Sequence, residues 1–192
     1  MEYMRACFRK VFWVNFKIGE ESGRSKANID IKNKGRCCGL NTETLQDSIT
    51  HSLSADRRVV LLVGPPGCGK SRLLRDFNDV GIVNVGKELA RELIPLPLEK
   101  RSELALEILG QLIDTHGHSV VVLDNIELLF MPELKIDLWP ALETLSANKK
   151  LVVAWTGRVA DDQIQWGDPG VPGFRVMSLE NCPANIVSMT GY

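Results

Sequence analysis

The sequence predicts an α/β fold, a three-layer domain built around a mostly parallel, five-stranded sheet. Two observations carry this. Continuous apolar runs, Val59-Val60-Leu61-Leu62-Val63, Val120-Val121-Val122-Leu123 and Leu151-Val152-Val153-Ala154-Trp155, have the β-branched character of strands buried on both faces of a parallel sheet. Between them lie segments whose apolar residues recur every three or four positions, as in amphipathic helices. Strands alternating with helices give a parallel sheet with helices on its faces.

Taken in order, a polar cap at Asn41-Thr42 precedes Leu45, Ile49 and Leu53, spaced for a short amphipathic helix. The first strand, Val59 to Val63, runs directly into a glycine-rich loop, and Lys70 to Asp79 reads as the helix after it. Ile82-Val83-Asn84-Val85 reads as a second short strand. A longer helix is expected from Glu99 to Thr115, with Leu104, Ala105, Ile108, Leu109, Leu112 and Ile113 on one stripe. The third strand, Ser119 to Leu123, ends at Asp124, and a helix carrying Leu138, Leu142 and Leu145 leads to the fourth, Leu151 to Trp155. After the turn-rich stretch Gly167 to Gly173, Phe174-Arg175-Val176-Met177 is expected to be the fifth strand. That leaves little chain for a helical lid beyond the sheet.

The 192 residues suffice for one domain and its core. Net charge is −1, but residues 1–40 hold nine Lys/Arg against four Asp/Glu, leaving 14 against 20 for the remainder. The reading is therefore a basic extension over 1–40, Lys-, Asn- and Gly-rich from Lys17 to Gly39 as a linker or disordered arm would be, and a folded domain over 41–192. The acidic body argues against a large nucleic-acid face, so DNA contact is expected only indirectly or through the basic arm. The cysteines Cys7, Cys37, Cys38, Cys68 and Cys182 form no C-x-x-C pair, which suits a reducing cytoplasm. No run approaches the roughly 18 apolar residues of a membrane span, and the apolar stretch Val11 to Phe16 lacks the features of a secretion signal.

Gly64-Pro65-Pro66-Gly67-Cys68-Gly69-Lys70-Ser71 matches G-x-x-x-x-G-K-[ST] in full, with a buried strand before it and a helix after it. The glycines permit close approach of successive backbone amides to phosphate oxygens, and the helix start adds its positive dipole end. Lys70 is assigned to the β- and γ-phosphates and the Ser71 hydroxyl to magnesium, with Arg72 completing the loop's contacts. ATP with Mg²⁺ is the expected ligand of this P-loop. Cys68 occupies a free position, where a redox role is the less favoured alternative.

Asp124, closing an apolar strand, is placed as a Walker B carboxylate that holds magnesium through water. With one further strand between the two motifs, the arrangement resembles the additional-strand P-loop ATPases, which include the AAA+ proteins. In those families a glutamate usually follows the aspartate, whereas Asn125 stands here. An amide can orient water but cannot take its proton, so fast hydrolysis is in question. Glu127 either substitutes by turning inward or is a solvated surface charge. Thr156, after the fourth strand, is a candidate sensor of the γ-phosphate. Arg158 is a candidate to reach that phosphate, in cis or as a finger for a neighbouring subunit of a homo-oligomer.

Several segments together resemble BrxF, the family of small P-loop ATPases of type 3 bacteriophage exclusion (BREX) systems. They are Leu61 to Ser71, Asn84-Val85 with Glu88-Leu89, Asp124-Asn125-Ile126-Glu127-Leu128-Leu129-Phe130, Leu134-Lys135-Ile136-Asp137 and Val152-Val153-Ala154-Trp155. The likeness spans about Asn41 to Arg175, and its discriminating part is the Asp-Asn-Ile-Glu-Leu-Leu-Phe segment with the Val-Ala-Trp strand. The resemblance implies that Asn125 is a family feature. It also implies a bacterial antiphage-defence subunit working with other BREX components: a large ATPase, a DNA methyltransferase, a phosphatase-like protein and a helicase.

Three functions follow as expectations: an ATP-binding, slowly hydrolysing subunit whose nucleotide state controls assembly; a hydrolysis-deficient nucleotide-dependent scaffold; and a small-molecule kinase. The last lacks an arginine-rich acceptor segment between Glu88 and Thr115. His116 and His118 read as loop residues and not as metal ligands. Trp139, Trp155 and Trp166 read as core or interface residues and not as base-stacking platforms.

Overall fold

A computed structural model describes residues 28–30, 42–53, 58–170 and 173–189. Among these, the chain runs β1 (Asn28–Asp30), α1 (Thr42–Ser52), β2 (Val59–Gly64), α2 (Lys70–Arg75), β3 (Val80–Asn84), α3 (Val85–Leu93), α4 (Leu98–Asp114), β4 (Val120–Asp124), α5 (Leu138–Leu145), β5 (Lys150–Ala160), β6 (Gln163–Trp166), β7 (Arg175–Ser178) and β8 (Ala184–Ser188). Two short 3₁₀ turns, Ile126–Phe130 and Pro132–Leu134, lie between β4 and α5. Cys7, Cys37, Cys38 and most of the basic extension lie outside the described residues, but Asn28–Asp30 of that extension pairs in parallel with β8.

The expected mostly parallel α/β architecture is present. The strand order is β1-β8-β2-β5-β4-β3, with every pairing along it parallel. The expectation of five strands is corrected to eight among the described residues. Arg175–Ser178 is a strand but does not belong to the parallel row; it pairs antiparallel with β6, which pairs antiparallel with the far half of β5. The neighbour of β2 opposite β5 is instead β8, from a segment the apolar pattern did not mark.

Alternation along the strands divides the core into two layers. Val59, Leu61 and Val63 of β2 face the side covered by α3, α4 and α5, together with Leu123, Leu151, Val153 and Trp155. Val60 and Leu62 face the side covered by α1 and α2, together with Val122, Val152 and Ala154. Each helix presents one apolar stripe to its layer, as Val85, Leu89 and Leu93 of α3 and Ala105, Leu109 and Ile113 of α4 show. The carboxyl end of α1 is fixed to the sheet by side chains: Asn185 Nδ2 donates to the Ser52 carbonyl at 2.6 Å and Lys150 Nζ to that of Leu53 at 3.0 Å.

Three boundaries differ from expectation. The helix after the loop ends at Arg75, because Asp76 caps it and Asp79 turns through a positive φ of 57° into β3. Asn84 ends β3 and caps a helix the periodicity had not revealed, its side chain accepting from the Lys87 N–H. β5 continues past Trp155 for five more residues, so Thr156 and Arg158 lie within a strand.

Trp139, Trp155 and Trp166 are core residues. Trp155 is completely buried, stacks on Trp139 with ring centroids 6.0 Å apart and meets Trp166 edge-on at 5.3 Å. Its indole N–H donates to the Gln165 carbonyl at 2.8 Å, tying core to hairpin. Arg175 reinforces the hairpin by donating to the Phe130 carbonyl and lying over the Phe130 ring. His118 pairs with Asp79 at 3.1 Å, while the carbonyls of His116 and His118 accept from Lys149. Among the described residues no helix is long and apolar enough to cross a membrane.

Candidate functional site

The carboxyl ends of β2 and β4 flank the middle of β5, because Gly64 is in register with Thr156 and Leu123 with Val153. Such an edge is where open parallel sheets place ligands. A cleft of about 300 Å³ opens there, lined by Gly67, Gly69, Lys70, Ser71, Arg72, Arg75, Asp124, Asn125, Glu127, Ala154 and Thr156.

The loop's shape follows from its glycines. Gly67 and Gly69 have φ of 75° and 91°, a region open to glycine and strained for other residues. Gly69 caps α2, whose first intrahelical bond runs from the Leu73 N–H to the Gly69 carbonyl at 3.0 Å. The amides of Lys70, Ser71 and Arg72 precede that bond and so have no acceptor within the helix. They stand at the cleft as donors for an anion. α2 has only six residues, so these amides and the nearby cations matter more than a long helix dipole would.

Lys70 is buried, and its Nζ donates to the carbonyls of Gly64 and Pro65, each at 2.8 Å, and contacts Cys68 Sγ at 3.6 Å. Burial pushes its ammonium below the ordinary lysine value of 10.5, and the neighbouring Cys68, Asp124 and Glu127 pull it partly back. The two carboxylates from separate elements are thus electrostatic neighbours of the loop lysine.

Asp124 is half-buried, and its Oδ1 accepts from the Asn125 N–H at 3.0 Å. Asn125 adopts the left-handed region, φ 54° and ψ 54°, which asparagine tolerates better than glutamate. This is a local physical reason for an amide after the acid. The 3₁₀ turn that follows buries Ile126, Leu129 and Phe130 and leaves Glu127 exposed in the cleft lining. Ser71 and Asp124 therefore offer a hydroxyl and a carboxylate to one space. That oxygen donor set fits magnesium, which keeps several of its waters.

No protein-family model, curated protein or solved structure matches the chain.

Of the residues singled out from the sequence, Gly67, Gly69, Lys70, Ser71, Arg72, Asp124, Asn125, Glu127 and Thr156 line the cleft. Gly64, Pro65, Pro66 and Cys68 do not; Gly64 and Pro65 act from behind by holding Lys70. Arg158 is also outside the lining, exposed and paired with Asp168 at 3.1 Å. Arg75 was not anticipated. It lies one turn beyond Ser71, its Nε donating to the Ser71 carbonyl at 2.9 Å, and helical spacing from Lys70 and Ser71 is the signal that could have found it.

Proposed function

We propose that the cleft binds a nucleoside triphosphate with magnesium, ATP being the expected nucleotide, and that the chain is a P-loop subunit that hydrolyses it slowly. The observation that carries the reading is the convergence of Lys70, Ser71 and Asp124 on one cleft at the carboxyl edge of a parallel sheet. The position of β5 between the loop strand β2 and the acid strand β4 supports the additional-strand arrangement of P-loop ATPases.

In this reading Lys70 exchanges its loop carbonyls for phosphate oxygens, and the amides at the start of α2 cradle the same group. Magnesium bound through Ser71 and Asp124 would neutralise charge on the phosphates. Asn125 orients the attacking water, and Glu127 accepts its proton. The presence of Glu127 in the lining favours hydrolysis over a purely static scaffold; the scaffold reading draws on Asn125, which offers no carboxylate at the position after Asp124.

The resemblance to the BrxF family extends the proposal to an antiphage-defence complex in which nucleotide state controls assembly with BREX partners. The test is magnesium-dependent ATP binding and its loss in Lys70→Ala, with turnover measured in Glu127→Gln. Absence of ATP and GTP binding in the wild type ends the reading. Binding with turnover that Glu127→Gln leaves intact removes Glu127 from its role, and binding without turnover favours the scaffold.

A further inference from the structure

Asn125 is held from behind by the first turn of α3. A left-handed backbone at a residue other than glycine persists where its surroundings over-determine it. One constraint is local, the hydrogen bond from the Asn125 N–H to Asp124 Oδ1. The second comes from a different element: the Gly86 N–H donates to the Asn125 carbonyl at 2.9 Å. The missing side chain eases this approach, since a Cβ at position 86 would stand a tight 3.2 Å from the Asn125 oxygen and an ordinary 3.6 Å from its Cβ. The turn that carries Gly86 is itself fixed. Asn84 is in register with Asp124, its side chain accepts from the Lys87 N–H at 3.0 Å, and its own N–H donates to Glu88 Oε1 at 2.8 Å. Val85 and Leu89 are completely buried beside it.

We infer that Gly86 is a positioning residue for the cleft: its hydrogen bond and its lack of a side chain set the backbone of Asn125 and so aim the carboxamide. This rests on the reading of the cleft as a triphosphate site. Gly86→Ala adds only a Cβ, at a helical position where propensity favours alanine, and obliges the Asn125 carbonyl to give by a few tenths of an ångström. Gly86→Pro removes an N–H that the helix itself does not use in its first turn and aims a ring carbon at the Asn125 carbonyl, so the contact between the two positions cannot form. Asn125→Gly keeps the left-handed backbone and removes the carboxamide.

The experiment measures Mg-ATP affinity and steady-state turnover in the full chain, in these three variants and in the Gly86→Ala/Asn125→Gly double variant, with thermal midpoints alongside. The expected result is an affinity within about twofold of wild type and turnover lowered about tenfold in each single variant. Thermal midpoints show that each variant is folded at the assay temperature, and the double variant loses no more turnover than Asn125→Gly alone. Turnover unchanged in both Gly86 variants, or losses that multiply in the double variant, overturns the inference. A wild type that binds Mg-ATP without turnover also overturns it and leaves the binding site standing. A wild type that binds no triphosphate ends both.

Discussion

Replacing Lys70 by methionine keeps the length of the side chain and removes its charge, so two properties that coincide in one residue can be measured apart. The first is ligand binding. A hydrogen bond to a charged group contributes about 1.5 to 3 kcal/mol, and losing one predicts an ATP affinity weakened roughly 10- to 150-fold in Lys70→Met. The second is stability. Burial disfavours the protonated form in the folded chain, so between the lowered folded value and the ordinary 10.5 the unfolded chain binds more protons. Stability of the wild type therefore rises with pH across that window, as the ammonium's desolvation penalty is relieved, and the methionine variant lacks this rise. The two hydrogen bonds from the ammonium to the Gly64 and Pro65 carbonyls are lost in the variant, an opposing loss of about 1.5 to 3 kcal/mol each. Nucleotide titration at pH 7 and urea unfolding at a series of alkaline pH values provide the two readouts. Equal ATP affinity in the two proteins, or a wild-type stability that falls relative to the variant as pH rises through the window, would refute the reasoning.

Asp124→Asn should leave the fold intact and make ATP affinity insensitive to magnesium, checked by titrating nucleotide with and without the metal; a retained magnesium response would remove Asp124 from the metal site. Arg75→Ala should weaken ATP binding and make it less dependent on salt, because a cation at the cleft is removed, whereas Arg158→Ala should leave affinity unchanged. Arg158→Ala should also change stability by no more than about 1 kcal/mol, as its partner Asp168 is an exposed ion pair. Trp155→Ala should cost about 3 to 5 kcal/mol in chemical denaturation, since the ring is fully buried among Phe130, Trp139 and Trp166.

The strands that the sequence reveals most plainly are those buried on both faces, where an unbroken apolar run reflects two covered sides at once: β2, β4 and the first half of β5. β8 escaped because its pattern is interrupted by Asn185, a polar residue tolerated in the core only through its bond to the Ser52 carbonyl, 133 residues away in the chain. The expected fifth strand, Phe174 to Met177, has real β-forming residues, but the strand formed there, Arg175–Ser178, has the exposed pattern of a hairpin. α3 was hidden for a related reason. Val83, Asn84 and Val85 read as one extended run, and Asn84 had to be recognised as a cap and not as a strand residue.

The site was more legible than the fold around it, because phosphate-loop spacing is a local property of the chain and survives errors in strand assignment. The loop lysine and hydroxyl and the acid ending β4 reach the same cleft. The place of Glu127 in the cleft lining could not be read, since it depends on the 3₁₀ turn anchored by Ile126, Leu129 and Phe130. Nor could the support that Gly86 gives to Asn125, 39 positions later in the chain, a contact made only when β3 and β4 pair.

β5 has a mechanical consequence. Its first residues are clamped between β2 and β4, Thr156 borders the cleft, and from Gly157 onward the same strand forms one arm of the hairpin with β6. No loop separates these parts, so one continuous strand joins the core to the surface, and Thr156 sits on it at the junction between cleft and hairpin.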